Sequence, residues 1–234
     1  CGRNRERGAA VAGRVTANGC PTHFVEADLA RVEDARAVIA AADGLFGNLH
    51  VLVNCAGVSD RGGILDTEPE DFDRIFAVNV RGPFFLIQEA AKVMIREGSG
   101  GAIVSILSMA SYGGRPNLSP YAASKAALGA LTKNAALALM PYRIRVNALN
   151  IGQTNTPGLD QVRREQDGAA QGWLEEVNRK QPFGRLHDSA DIARAIAFMA
   201  SAESAHSTGA IVDFAQHVMG AFGGTPQADP HGPG

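Results

Sequence analysis

The chain has 234 residues, 45% hydrophobic and 20% charged, with a net charge of −2. That fits one α/β domain with a core of ordinary size. There is no basic block to suit a nucleic acid and no apolar run of the ~18 residues a membrane-spanning helix needs. The six histidines and three cysteines (Cys1, Cys20, Cys55) show no HExxH, CxxC or other paired ligand spacing, so no metal site is expected. The odd count and scattered placement of the thiols suggest a reduced, cytoplasmic protein.

Residues 1–3 read as the end of a strand or the turn after it, and 4–19 as a helix closed by Gly19. HFVEAD (23–28) is a short predicted strand. Residues 31–47 form an amphipathic helix with Val32, Ala35, Val38, Ile39 and Ala42 on one side. NLHVLVNCAG (48–57) is a strand running into a glycine turn, and 69–98 is a long helix expected to bend near Gly82 and Pro83. Then come a strand at 101–108, a second long helix at 118–140 and a strand at 142–150. The polar stretch after Thr154 is too long for a simple loop and should carry a helix around Ala169–Arg179. A helix over 189–203, capped by Ser189, and a strand at 208–214 complete the order, and the Gly/Pro-rich tail from Gly223 reads as loose.

Strands alternate with helices throughout, and HVLVN, AIVSIL and RIRVNAL are short and mostly apolar. This predicts an α/β fold: a doubly wound parallel sheet covered on both faces, in three layers. Ligands of such sheets bind at the carboxyl ends of the strands, where Asn54, Ser108 and residues 150–156 fall.

Tyr121 and Lys125, four apart on a predicted helix, project from one face. Ser108, thirteen residues earlier, ends an apolar strand. A free tyrosine titrates near pH ~10, and a neighbouring ammonium favours its phenolate, so the phenol can exchange a proton with an alcohol or carbonyl near neutrality. Alone, Tyr-x-x-x-Lys reads as an incidental pair on an exposed helix; with Ser108 beside it the chemical reading is the better one. NCAG (54–57) offers small residues that let a ligand approach the backbone, or simply a tight turn. Asn79 is a polar side chain in an apolar helical stretch, where a buried partner is the rule.

In this order and spacing these motifs resemble the short-chain dehydrogenase/reductase family over about residues 1–214: NCAG, Asn79, Ser108, YAASK at 121–125 and RVNALNIGQTNT at 145–156. The resemblance implies a Rossmann-like fold and NAD(P)-dependent hydride transfer between an alcohol and a carbonyl. It casts Tyr121 as the acid/base, Lys125 as the ribose ligand that lowers the tyrosine's pKa, Ser108 as the holder of the substrate oxygen and Asn79 as the holder of a relay water. Asp28, with Leu29 beside it, matches the adenine contact. Asn54, Ala56 and Gly57 match the cofactor-facing turn, and Thr156 the carboxamide and phosphate contact.

Two departures stand out. Ile151-Gly152 replaces the family's usual Pro-Gly, and the family's Gly-rich phosphate loop is absent. A strand-helix-strand unit of roughly 30 residues is therefore expected upstream of Cys1. In the family's strand order 3-2-1-4-5-6-7, HFVEAD would otherwise lack its neighbour. The chain is expected to be a fragment of the working protein, a single Rossmann-like domain over 1–222 with a flexible tail at 223–234. No acid stands at Gly2, and Arg3 can pair with a 2′-phosphate, which favours NADP over NAD.

Substrate contacts are expected in 109–117 and 153–187, with Tyr112, Arg115, Gln153, Asn155 and Trp173 as candidates. Their polarity suits a sugar, polyol or other small polar alcohol. A 3-oxoacyl-type reductase and a non-catalytic relative kept as an interaction module remain the alternatives. Family likeness also implies a homodimer or homotetramer through the helices 69–98 and 118–140.

Overall fold

The structure is a computed structural model and describes residues 1–220; the tail at 223–234 lies outside the described residues. Four strands, β1 (Val51–Asn54), β2 (Gly101–Ser108), β3 (Ile144–Ile151) and β4 (Ile211–Phe214), form one sheet in the order β1-β2-β3-β4. Every pair is parallel, and Asn54 pairs with Ser105 while Ser108 pairs with Ile151. Parallel neighbours need crossover helices, so all four strands deliver their carboxyl ends to one side.

Among the described residues eight α-helices accompany the strands: α1 (Arg5–Ala17), α2 (Val32–Phe46), α3 (Pro69–Phe76), α4 (Gly82–Glu97), α5 (Ser119–Leu139), α6 (Pro157–Glu165), α7 (Trp173–Arg179) and α8 (Ser189–Ala200). The two-residue period of β2 divides the core. Ile103 faces a cluster built from Ala35 and Ile39 of α2, Leu86, Ala90 and Met94 of α4, and Ala135 and Ala136 of α5. Val104 and Ile106 face Ile192 and Met199 of α8. Removing each such aliphatic side chain from water is worth about 1.5–3 kcal/mol, so the pattern locks β2's register and with it the direction of its last residue, Ser108. Arg145 ties α8 down, donating to the carbonyls of Met199, Ala200 and Ser201 and to the Ser204 hydroxyl.

HFVEAD forms one parallel bridge, Gly2 with Glu26, in place of the predicted strand. Its partner on one side is the Cys1–Gly2 segment, and no described strand lies between it and β1. Val51 and Val53 are 41% and 38% exposed, and α1 buries no residue. The long helix expected over 69–98 is also interrupted, at a π-turn (Ala77–Arg81) with Asn79 at its centre rather than at Pro83, which sits harmlessly in the first turn of α4. Gly82 is required there for a different reason: a Cβ would fall 2.6 Å from the Leu29 carbonyl oxygen. The polar stretch contains α6 as well as the expected α7. The cap of α8 is Asp188, in a reciprocal box with Asp191, rather than Ser189.

Candidate active site

Ser108 leaves β2 in an extended conformation, and its hydroxyl accepts from Ala110 N at 3.2 Å. α5 begins eleven residues later, with Pro120 in its first turn. Tyr121 is half-buried, and Lys125, one turn on, is 4% exposed. The Lys125 ammonium donates to the Ile106 carbonyl at 2.8 Å and lies 5.9 Å from the centre of the Tyr121 ring. The strand end and the first turn of α5 thus bring Ser108, Tyr121 and Lys125 together at the carboxyl edge of the sheet.

Asn79, fully buried, reads the backbone of the loop leaving β1. Its Oδ1 accepts from Val58 N and its Nδ2 donates to Val58 O, both at 2.9 Å; Nδ2 also donates to Ser124 Oγ at 3.0 Å. Ser124 in turn donates to the Tyr121 carbonyl at 2.7 Å. The asparagine therefore couples the loop after β1 to the tyrosine's helix. Ser124 carries no motif signal of its own beyond lying three residues from Tyr121. A Cβ on Gly57 would sit 3.2 Å from Asn79 Oδ1 and 3.3 Å from Lys125 Nζ, so the absence of a side chain there keeps that space open.

Burial pushes the Tyr121 phenol above its ordinary value, opposed by the nearby Ser108 hydroxyl and by the positive charge of Arg61. Burial lowers Lys125 from 10.5 to about 8, and the nearby Cys55 opposes the shift. The unfolded chain thus holds the Lys125 proton more tightly than the folded one. That residue's share of stability is highest above 10.5 and is lost as pH falls toward 8. Without cofactor, the protein is expected to gain stability from pH 8 to about 10 relative to Lys125→Met; beyond that the raised Tyr121 pKa contributes in the opposite sense. Urea unfolding of both proteins at the two pH values checks this, and parallel curves would refute it.

The residues expected to hold a dinucleotide are found in separate places. Asn54 is buried; its Nδ2 donates to Ser105 Oγ at 3.2 Å, while its Oδ1 has no partner among the described residues. Cys55, Ala56 and Gly57 are exposed beside it. An orphaned acceptor, an open small-residue turn and a buried lysine with one acceptor fit the ribose and nicotinamide end of such a group. Asp28 accepts from Ala30 N at 3.0 Å, Leu29 is buried against the core, and Arg3 is exposed with no hydrogen bond or ion pair among the described residues. Thr156 caps α6, accepting from Leu159 N at 3.1 Å.

Of the substrate candidates, Tyr112 donates to the Asp213 carboxylate at 2.9 Å. Trp173 is buried and donates to Asp160 at 2.8 Å. Asn155 pairs through its backbone with His187, and Gln153 lies partly buried in the same segment. Arg115 is exposed in the turn before α5. Sequence reading missed Arg61, which forks onto Asp167 from the loop after β1; its only local signal is a position four residues past Gly57.

A parallel sheet with a tyrosine, a lysine and a serine at its carboxyl edge defines an oxidoreductase of the dinucleotide-binding α/β class. A family model described as Enoyl-(Acyl carrier protein) reductase matches residues 2–214. An uncharacterized oxidoreductase of Thermotoga maritima is 36% identical over 210 residues, covering 90% of this chain and 82% of that protein. The 2-dehydro-3-deoxy-D-gluconate 5-dehydrogenase of Escherichia coli is 32% identical over 196 residues, covering 84% and 76%. Among solved structures, an NAD⁺-bound xylitol dehydrogenase superimposes with a TM-score of 0.82 at 28% identity, covering 92% of this chain and 86% of that one. The chain belongs to the short-chain dehydrogenase/reductase family. It is an NAD(P)-dependent oxidoreductase acting between alcohols and carbonyls.

Proposed function

We propose that the protein interconverts a small polar secondary alcohol, such as a sugar or polyol, with its carbonyl, and that NADP is its preferred cofactor. The observation that carries the reading is the convergence of Ser108, Tyr121 and Lys125 at the end of β2. When bound, the nicotinamide supplies or accepts the hydride. Tyr121 takes the hydroxyl proton in oxidation and returns it in reduction. Ser108 holds the substrate oxygen and Lys125 holds the ribose; the cation that opposes the rise of the Tyr121 pKa is Arg61, not Lys125 as the resemblance implied. Asn79 fixes the loop and helix that carry these groups and leaves Oδ1 bordering the space over Gly57 that Lys125 also faces.

Asn54, Ala56 and Gly57 would meet the nicotinamide half, Asp28 and Leu29 the adenine, and Thr156 the carboxamide and phosphates. Arg3, exposed and next to Gly2 rather than an acid, supports the NADP preference. The protein is read as cytoplasmic, one domain over 1–222, and a homodimer or homotetramer through α4 and α5; no described helix is long and apolar enough to cross a membrane. The polar wall at 153–187 and the sugar-acid and polyol relatives support a polar substrate. Relatives named (3R)-3-hydroxyacyl-CoA dehydrogenase and a solved 3-ketoacyl-(acyl-carrier-protein) reductase support a 3-oxoacyl-type reductase as the second reading.

The test is steady-state kinetics of the full-length protein with polyols, sugars, hydroxy acids and 3-oxoacyl thioesters, each with NADP and NAD in the matching redox state. Turnover of polar alcohols with a higher kcat/KM for NADP is expected. Preference for the thioesters would replace the substrate reading, and a strong NAD preference would refute the role given to Arg3.

A further inference from the structure

A cluster of charges joins the loop after β1 to the end of α6, beyond the serine, tyrosine and lysine. Arg61 follows the loop that Asn79 clamps at Val58. Its neighbour Gly62 is tied to the segment just before Tyr121: Gly62 N donates to Asn117 O at 3.0 Å, and Ser119 N donates to Gly62 O at 2.9 Å. The loop therefore holds Arg61 where its charge reaches the Tyr121 phenol.

The guanidinium forks onto Asp167, with Nε 2.7 Å from Oδ1 and Nη2 2.6 Å from Oδ2. The same carboxylate accepts from Arg163 Nη1 at 3.1 Å. The Arg61, Asp167 and Arg163 side chains are only 20%, 16% and 26% exposed. Two guanidiniums thus share one carboxylate in a partly desolvated cleft. The nearby acids are engaged elsewhere: Asp60 with Arg74 at 2.7 Å, and Asp160 with Arg164 at 2.8 Å. Arg163 Nε is buried without a partner among the described residues, and its guanidinium lies 5.7 Å from the Trp173 ring centre. The cluster has one positive charge and one buried donor more than the described residues satisfy.

We infer that this cluster receives a carboxylate carried by the substrate, with Arg61 as the specificity-determining residue and Asp167 as a stand-in that the substrate's carboxylate displaces. The inference rests on the alcohol/carbonyl reading and narrows it to hydroxy and oxo acids. A guanidinium fork matches any carboxylate in the same bidentate geometry, so a ligand can replace Asp167 without rebuilding the site. The segment carrying Asp167 is otherwise held to the loop by polar contacts: Arg61 N to Gln166 Oε1 at 2.9 Å and Gln166 Nε2 to Asp60 Oδ1 at 3.2 Å. Such contacts exchange with water at small net cost. Arg163, left with a share of Asp167, keeps that carboxylate paired after the exchange.

Trp173 is the only tryptophan of the chain and stacks on Arg163, so its fluorescence reports occupancy without turnover. The full-length protein, free of cofactor, is titrated with lactate, malate and gluconate, each against its primary amide and against sodium chloride at equal ionic strength. At least one acid is expected to give a saturable change that its amide and chloride do not. Arg61→Ala should weaken that binding about 100-fold, and the acid-to-amide ratio of kcat/KM should fall by a similar factor. Asp167→Asn, which removes the competing carboxylate, should tighten the acid; a purely structural latch would lose binding in both variants. Acids binding no better than amides, or Arg61→Ala binding as wild type does, overturns the inference. Tyr121→Phe separates the two readings: turnover that survived it would sink the proton-transfer role and leave the titration to decide the anion site.

Discussion

Tyr121→Phe is expected to lower kcat about a thousand-fold, the middle of the range that a positioned general acid/base contributes. Phenylalanine keeps the ring against Lys125 and removes only the hydroxyl. That oxygen faces Ser108, and Tyr112 is held by Asp213. The substitution also relieves the burial of a polar group, so the midpoint of urea unfolding should stay level or rise. Comparing kcat with the unfolding midpoint isolates the chemistry. A variant that kept most of its kcat would mean that another group moves the proton.

The second large effect is expected at Asn79. Replacing it with alanine removes three hydrogen bonds and leaves the Val58 N–H and C=O facing a cavity. Unpartnered groups of this kind cost about 1–3 kcal/mol each, which predicts a loss of about 2–4 kcal/mol and a drop in Tm of several degrees. Ser124→Ala, which loses one of the same bonds, should cost about 1 kcal/mol. Activity should fall with Asn79→Ala even well below the melting range, because the loop bearing Gly57 is then free to move against Lys125. Denaturant unfolding of the three proteins checks the order. A loss for Asn79→Ala below about 0.5 kcal/mol, the size of a neutral surface change, would contradict the clamp.

Much of this architecture is legible from short-range pattern. The run GAIVSILS coincides with β2 at both ends, because a short apolar run behind Gly98 and Gly100 has the length of a strand buried on both faces and is too short for a buried helix. Tyr121 and Lys125 share a face because four residues make about one helical turn. Where reading from sequence fails, the outcome depends on what lies alongside. HFVEAD has strand composition but finds only Gly2 to pair with, and composition cannot form a ladder without a partner. The 69–98 helix is interrupted where Asn79 meets Val58, a residue 21 positions away, and not where its proline suggested.

The sequence by itself determined that β1, β2 and β3 are extended and apolar, that α2, α5 and α8 are helical, and that a serine, a tyrosine and a lysine of the right spacing stand at strand and helix ends. These follow from periods of two and 3.6 residues, which are local. Only the tertiary structure decided that Asn79 belongs to Val58 and Ser124, that Lys125 is buried deeply enough to fall to about 8, and that Arg61 meets a carboxylate 106 positions away. Burial and charge pairing are properties of the space between segments. No local pattern encodes them until the sheet has brought its strand ends to one edge.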